Sequence, residues 1–348
     1  MERLLVIVVT RIGDTLLVTP AIRALAATYP EAVITVLVHP KRRELLLNLP
    51  FVHRLSSITK RQAFFRGRFG FLRDKKPYDA AIVYGHDVSL VAYALRVADK
   101  VVAQPQRSPS FQAAGERLVT VADPKELEHA VPARLRMAQA LGAVSAGLHL
   151  SYVVTAVEQA EALQLLAALF RENITAERDN RRWVGIQLQS FPTKAYRDWP
   201  HESFVQLLQK LLVAAPDVRV VVLGDHASTH VAQDLVKRFP ARVASLAGRI
   251  TLRQAAAVMS HLSLYIGVDT GPTHLAGALG IPMVALYHCM HRGCYLMPLE
   301  RPSVTVIEHP AADGECSNQR SMAEISVDQV WQAVQERLGL MTVGQQSA

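Results

Sequence analysis

The sequence predicts an α/β protein of two doubly wound parallel-sheet (Rossmann-like) domains. Three observations lead there. Short runs rich in Val, Ile and Leu alternate with helical patterns along the whole chain, the mark of strands joined by crossover helices. The series restarts after a polar break, Glu177-Arg178-Asp179-Asn180-Arg181-Arg182. The 348 residues also exceed what one core usually fills, at roughly 150 residues per domain.

The elements follow in order. Residues 4–9 form the first strand; this apolar run is too short for an export signal and has no small-residue cleavage site. A helix is expected near 16–28, strands at 33–38, 80–84 and 101–103, and a helix near 90–98. After the break come strands at 184–188, 218–223, 263–266 and 283–287, with helices near 202–213, 252–259 and 272–279. These spans suggest a first domain over 1–172 and a second over 183–340, with a polar tail from 342 expected to fray. No Gly-x-Gly-x-x-Gly occurs, which argues against a dinucleotide dehydrogenase.

Composition excludes several classes. Half the residues are apolar, yet no run of about 18 lacks a charge or breaker, so no membrane span is expected and the chain reads as cytoplasmic. Three cysteines, Cys289, Cys294 and Cys316, are an odd number and argue against a disulfide framework. With His288 and His291 they could ligate zinc, but the spacing matches no Cys-x-x-Cys knuckle, and no metal is expected. No Asp-x-Asp occurs either, so the carboxylate pair that carries a metal in many transferases is missing.

The net charge is +8, and its distribution matters more than its sum. Between Lys41 and Lys76 stand eleven basic and two acidic residues, so this window alone carries a surplus of nine. Within it, Phe64-Phe65-Arg66-Gly67-Arg68-Phe69-Gly70-Phe71 interleaves aromatics with arginines. Such a segment suits an anionic, amphipathic partner such as a lipid headgroup surface; single-stranded nucleic acid and a plain solvated loop with inward-packed Phe residues are the competing readings.

Two motifs carry chemistry. Asp269-Thr270-Gly271-Pro272-Thr273-His274 joins a buried strand to a helix start, where unpaired amides and the helix dipole favour a phosphate. Asp269 suits orienting this loop or capping the helix better than meeting phosphate, and His274 can share the pocket. Near the N-terminus, Arg11-Ile12-Gly13-Asp14-Thr15 follows the first strand. There Asp14 is either a general base or a helix cap. Between the motifs, Thr193, Lys194 and Arg197 form a basic loop before Trp199-Pro200, suited to a diphosphate.

These stretches together resemble glycosyltransferase family 9, the ADP-heptose:lipopolysaccharide heptosyltransferases. The match includes Pro20 and Arg23 after the first motif, Trp199-Pro200, Leu246-Ala247-Gly248, and Gly280-Ile281-Pro282 after the last, so it spans nearly the whole chain. The resemblance implies a GT-B-like fold whose two domains face across a cleft, the first binding acceptor and the second the nucleotide sugar. It implies inverting, metal-independent heptose transfer from ADP-heptose to inner-core lipopolysaccharide, with no cofactor. Asp14 becomes the catalytic base, and Thr193, Lys194, Arg197, Asp225, Asp269, Thr270, Gly271 and His274 become donor-binding residues. Arg61, Arg66, Arg68 and Arg73 are expected to meet an anionic lipopolysaccharide core, with peripheral contact to the inner-membrane surface and no nucleic acid.

Two departures stand out. The family's Lys two residues before the Trp is Arg197 here, and Ser228 stands where an acidic residue usually reaches the nucleotide, leaving Asp225 as its substitute. Alternatives are a heptosyltransferase with a protein or other glycan acceptor, a GT-B-like nucleotide-sugar epimerase, and a non-catalytic protein that binds nucleic acid or membrane.

Overall fold

Twelve strands form two all-parallel sheets of six in the computed structural model, which describes residues 1–69, 77–106, 109–125, 128–170 and 182–340. The polar break at 177–181 and the tail lie outside the described residues. The first sheet holds β1 (Arg3–Val8), β2 (Val33–Val38), β3 (Arg54–Ser57), β4 (Tyr78–Tyr84), β5 (Ala98–Ala103) and β6 (Leu118–Thr120), in the order β3-β2-β1-β4-β5-β6. The second holds β7 (Arg182–Gln187), β8 (Val218–Leu223), β9 (Val243–Ser245), β10 (Leu264–Val268), β11 (Met283–Tyr287) and β12 (Val304–Glu308), ordered β12-β11-β10-β7-β8-β9. Read from its other edge, the second sheet repeats the topology of the first.

The central strands are apolar on both faces because helices cover both, so they read as continuous Val/Ile/Leu runs. Leu4 to Val8 and all of β10 and β11 are buried. Beneath the second sheet, Val184, Ile186, Val220, Val222, Ile266 and Val284 meet Phe204, Leu207 and Leu211 of helix His201–Ala214. The expected strands and helices are present within a few residues of their predicted ends. Helix 16–28 is divided into Ile12–Leu16 and Thr19–Thr28, where Pro20 occupies the first turn of the second piece. Four strands absent from the sequence reading, β3, β6, β9 and β12, are the four sheet edges.

The chain divides into two compact units, Met1–Val153 and Val154–Ala348. Helix Ala156–Phe170, which a first domain ending at 172 includes, groups with the second unit. There Arg253 pairs with Glu158, and His261 Nε2 lies 2.8 Å from the Gln159 carbonyl. The Arg253 guanidinium pulls the Glu158 carboxyl down to about 2. The same doubly wound halves make up GT-B-like folds.

Candidate active site

In open parallel sheets, ligands bind beyond the carboxyl ends of the strands where the strand order reverses. That point lies between β1 and β4 in the first unit and between β7 and β10 in the second. The loops after β7 and β10 contain the basic loop and the Asp269 motif, and the loop after β1 contains Asp14.

After β10, Thr273 Oγ1 donates to the Val268 carbonyl at 2.5 Å and lies 3.1 Å from the buried Tyr265 hydroxyl, which pins the turn to its strand. Helix Gly271–Leu279 begins with Thr270 as an extended N-cap. Pro272 has no N–H, and the Thr273 and His274 amides return to the Thr270 carbonyl at 3.1 and 3.3 Å. The amides best placed for an anion are therefore those of Thr270 and Gly271. Gly280 ends the helix in the left-handed region, at φ 72°, a conformation that suits glycine.

Asp269 is 3% exposed. Its carboxylate accepts from Arg197 Nη1 at 2.7 Å and lies 3.7 Å from His274 Nε2. Of its two expected roles, orienting the loop fits and capping does not, because the N-cap is Thr270.

The basic loop after β7 is firmly based. Asp198 accepts from the Ser190 amide at 2.6 Å, the Ser190 hydroxyl donates to the Lys194 carbonyl at 2.8 Å, and the buried Trp199 indole donates to the Ile325 carbonyl at 2.9 Å. On that base sits a short turn, Pro192–Arg197, with Thr193 exposed. Lys194 Nζ and the Arg197 guanidinium lie 5.6 and 5.9 Å from the centre of the Tyr196 ring. Arg197 Nε is buried with no hydrogen-bond partner among the described residues. Arg197 thus joins this loop to the β10 junction through Asp269. Sequence reading missed the support beneath it, since the Tyr196 hydroxyl lies 2.8 Å from His291 Nε2 of a distant turn.

Asp225 follows β8 as the cap of a short turn. Its Oδ1 accepts from the Ala227 and Ser228 amides at 3.0 and 3.3 Å, and the Ser228 hydroxyl lies at 3.4 Å. One carboxylate oxygen is therefore already engaged within its own turn.

In the first unit, Asp14 lies in the first turn of helix Ile12–Leu16, whose N-cap is Arg11. Its carboxylate is 41% exposed and accepts from Arg134 Nη2 at 2.5 Å. Arg134 belongs to helix Ala130–Gln139, 120 positions away, and nothing local in the sequence marks it. Arg23, the far end of the same motif, plays a scaffolding part: its guanidinium donates to the carbonyls of Ala146, Gly147 and His149 and to the Ser151 hydroxyl.

The cysteine reading is corrected. Cys289 and Cys316 form a disulfide, so the odd count concealed one bonded pair and one free thiol, the exposed Cys294. The bond forms because the turn after β11 and the segment after residue 313 meet in space, which spacing in the chain does not reveal. His288 completes a group whose ligand atoms lie within 4.8 Å of one another, but the disulfide engages both sulfurs. Burial lowers the His288 pKa from its ordinary value. Cys316→Ser is expected to lower the unfolding free energy by about 3–4 kcal/mol, the chain-entropy value for a cross-link 27 residues apart. Urea titrations with and without reductant check this, and superimposable curves would show that the link does not stabilise the fold.

In the basic window, helix Lys60–Phe69 carries Arg61 and Arg66 on exposed positions. Phe64 and Phe65 are 49% and 48% exposed rather than packed inward, and the Arg61 guanidinium lies 5.9 Å from the Phe65 ring centre. Arg68 belongs to the same helix; Arg73 and Phe71 lie outside the described residues. Among the described residues no helix is long and apolar enough to cross a membrane.

Residues 75–323 match the sequence profile of glycosyltransferase family 9 (heptosyltransferase). The chain belongs to that family. It is therefore a glycosyltransferase. Over 346 residues it is 24% identical to lipopolysaccharide heptosyltransferase 3 of Escherichia coli, covering 95% of this chain and 98% of the relative. Its fold is similar to that of a family 9 glycosyltransferase from Veillonella parvula, with a TM-score of 0.79, 19% identity and 98% of both chains covered. It is also similar to E. coli heptosyltransferase WaaC solved with ADP, with a TM-score of 0.70, 19% identity, and 97% of this chain and 100% of that one covered.

Proposed function

We propose that this family 9 enzyme transfers heptose from ADP-heptose to an inner-core lipopolysaccharide saccharide, with inversion and without a metal ion. The observation that carries the donor side is the Arg197–Asp269 pair, which joins the two loops flanking the β7/β10 switch point. Support for the substrates comes from relatives: one is named a lipopolysaccharide heptosyltransferase, and another was solved with ADP.

In this reading the second unit holds the donor. Arg197, Lys194 and the Thr270 and Gly271 amides bind the diphosphate and stabilise the charge that grows as its bond to the anomeric carbon breaks. Thr193 lines the same loop, His274 and Asp269 hold its geometry, and Asp225 turns its remaining oxygen to the ribose. The first unit serves the acceptor. Asp14 takes the proton of the acceptor hydroxyl as that oxygen bonds to the anomeric carbon, and ADP leaves with the electron pair. The test is ADP release from ADP-heptose with and without a heptose-accepting core oligosaccharide, in buffer containing a chelator. Acceptor-dependent release with an inverted product supports the reading; loss of activity restored by Mg²⁺ or Zn²⁺ contradicts metal independence.

Arg61, Arg66, Arg68 and Arg73 are assigned to the anionic core, and the half-exposed Phe64 and Phe65 to peripheral contact with the inner-membrane surface. Acceptor KM should then rise with ionic strength while donor KM changes less, because exposed charges are screened over about 8 Å at physiological salt. Changing Arg66, Arg68 and Arg73 together to Ser should raise acceptor KM and leave ADP affinity intact. Salt-sensitive binding to single-stranded nucleic acid, lost in the same variant with transfer unaffected, would reassign the patch.

A further inference from the structure

A general base bonded to a guanidinium raises a chemical question. Arg134 Nη2 occupies a lone pair of the Asp14 carboxylate, the same acceptor a general base needs for the hydroxyl proton. Once the proton has moved, Asp14 is neutral and the Arg134 cation has lost its counter-charge. An arginine in that position favours the reaction only if another anion takes over as the carboxylate is neutralised.

The surroundings of Arg134 suit such an exchange. Its backbone is held in place, because Tyr84 at the end of β4 donates its hydroxyl to the Arg134 carbonyl at 3.1 Å. The guanidinium itself is held lightly. It donates Nη2 to Asp14 at 2.5 Å and Nη1 to the Ala130 carbonyl of its own helix at 3.1 Å, while a guanidinium has five N–H donors. The Arg134 and Asp14 side chains are 23% and 41% exposed, so the pair has a side open to a ligand.

We propose that Arg134 is a positioning and specificity-determining residue that passes from Asp14 to an anionic group, a phosphate or carboxylate, on the acceptor. This rests on the reading of Asp14 as the base. With no acceptor bound, Arg134 holds the carboxylate oxygen that would otherwise accept a proton from water, which limits wasteful hydrolysis of the donor. When an anionic acceptor binds, its charged group takes the fork of Arg134 and releases the Asp14 lone pairs towards the hydroxyl. The hydroxyl proton passes to Asp14, the acceptor oxygen bonds to the anomeric carbon, and the carbon–diphosphate bond breaks with its electron pair leaving on ADP. Arg134 ends paired with the acceptor anion, so neither a free cation nor a free anion is left behind.

The experiment compares wild type, Arg134→Gln and Arg134→Lys on a phosphorylated core oligosaccharide and on the same oligosaccharide after phosphatase treatment, with donor hydrolysis measured in acceptor-free buffer. Wild type should prefer the phosphorylated acceptor. In Arg134→Gln, kcat/KM for that acceptor should fall by about 10- to 100-fold, the scale of one charge-assisted hydrogen bond, and the preference should disappear. Hydrolysis without acceptor should rise relative to transfer, and Arg134→Lys should restore part of the preference because it restores the charge. ADP binding to each variant reports that the fold persists, and if the Gln variant is unfolded the Lys variant carries the comparison. An unchanged ratio between the two acceptors in a folded variant overturns the proposal. So does a wild-type enzyme indifferent to the phosphate. Either result leaves the base reading intact, which is tested separately by Asp14→Asn.

Discussion

Asp14→Asn is expected to lower kcat by about 10²- to 10⁴-fold while leaving the ADP dissociation constant nearly unchanged. The amide keeps the size and shape of the carboxylate and can still meet Arg134, but it cannot accept the acceptor's proton. Donor binding is assigned to the second unit, so calorimetric titration with ADP should not distinguish the variant from wild type. The geometry already weakens the competing role, because Arg11 is the N-cap and the Asp14 carboxylate is bonded to Arg134. Wild-type turnover in the variant would leave Asp14 a purely structural partner of that arginine.

The second large effect belongs to Arg197→Ala, and the structure makes it larger than a lost phosphate contact. The Arg197 and Asp269 side chains are 14% and 4% exposed, so removing the guanidinium leaves a carboxylate buried without that partner. Breaking such a pair costs about 3–5 kcal/mol. The variant should therefore melt at lower temperature, bind ADP more weakly and turn over more slowly. Arg197→Ala combined with Asp269→Asn should regain part of the stability but not the ADP affinity, which separates the two contributions. Lys194→Ala should be milder on every measure, since its ammonium lies over the Tyr196 ring rather than in a buried pair. If Lys194→Ala weakened ADP binding more than Arg197→Ala, the clamp would move to Lys194.

What the sequence made legible follows from burial. Central strands such as β1 and β10 are buried on both faces, so nearly every residue is apolar and the run is unmistakable. Edge strands have no such constraint. β3, Arg-Leu-Ser-Ser, alternates exposed and half-buried residues, β9 has only three residues, and β12 is half-buried throughout, so their patterns merge with those of loops. The site divides the same way. Motif residues that act within a few positions of each other, such as Asp269 with His274, were readable. Partners brought together by the fold were not: Arg134 with Asp14, His291 with Tyr196, and Cys316 with Cys289 are separated by 120, 95 and 27 positions.

The matching strand orders of the two sheets also bear on how the chain acquires its structure. Among the described residues every strand ladder closes within its own half: β1 to β6 pair only with one another, and so do β7 to β12. The first sheet is complete in sequence by Thr120, so it can assemble on the ribosome while the second half is still being made. In each half the first strand cannot be covered on both edges until the fourth has been made. β1 meets β4 with Leu4 beside Ala80, and β7 meets β10 with Val184 beside Leu264. Closing those long loops in a parallel register is entropically costly. Until it happens, one edge of the largely buried β1 or β7 stays uncovered, and that is the interval in which a nascent chain would gain most from a chaperone.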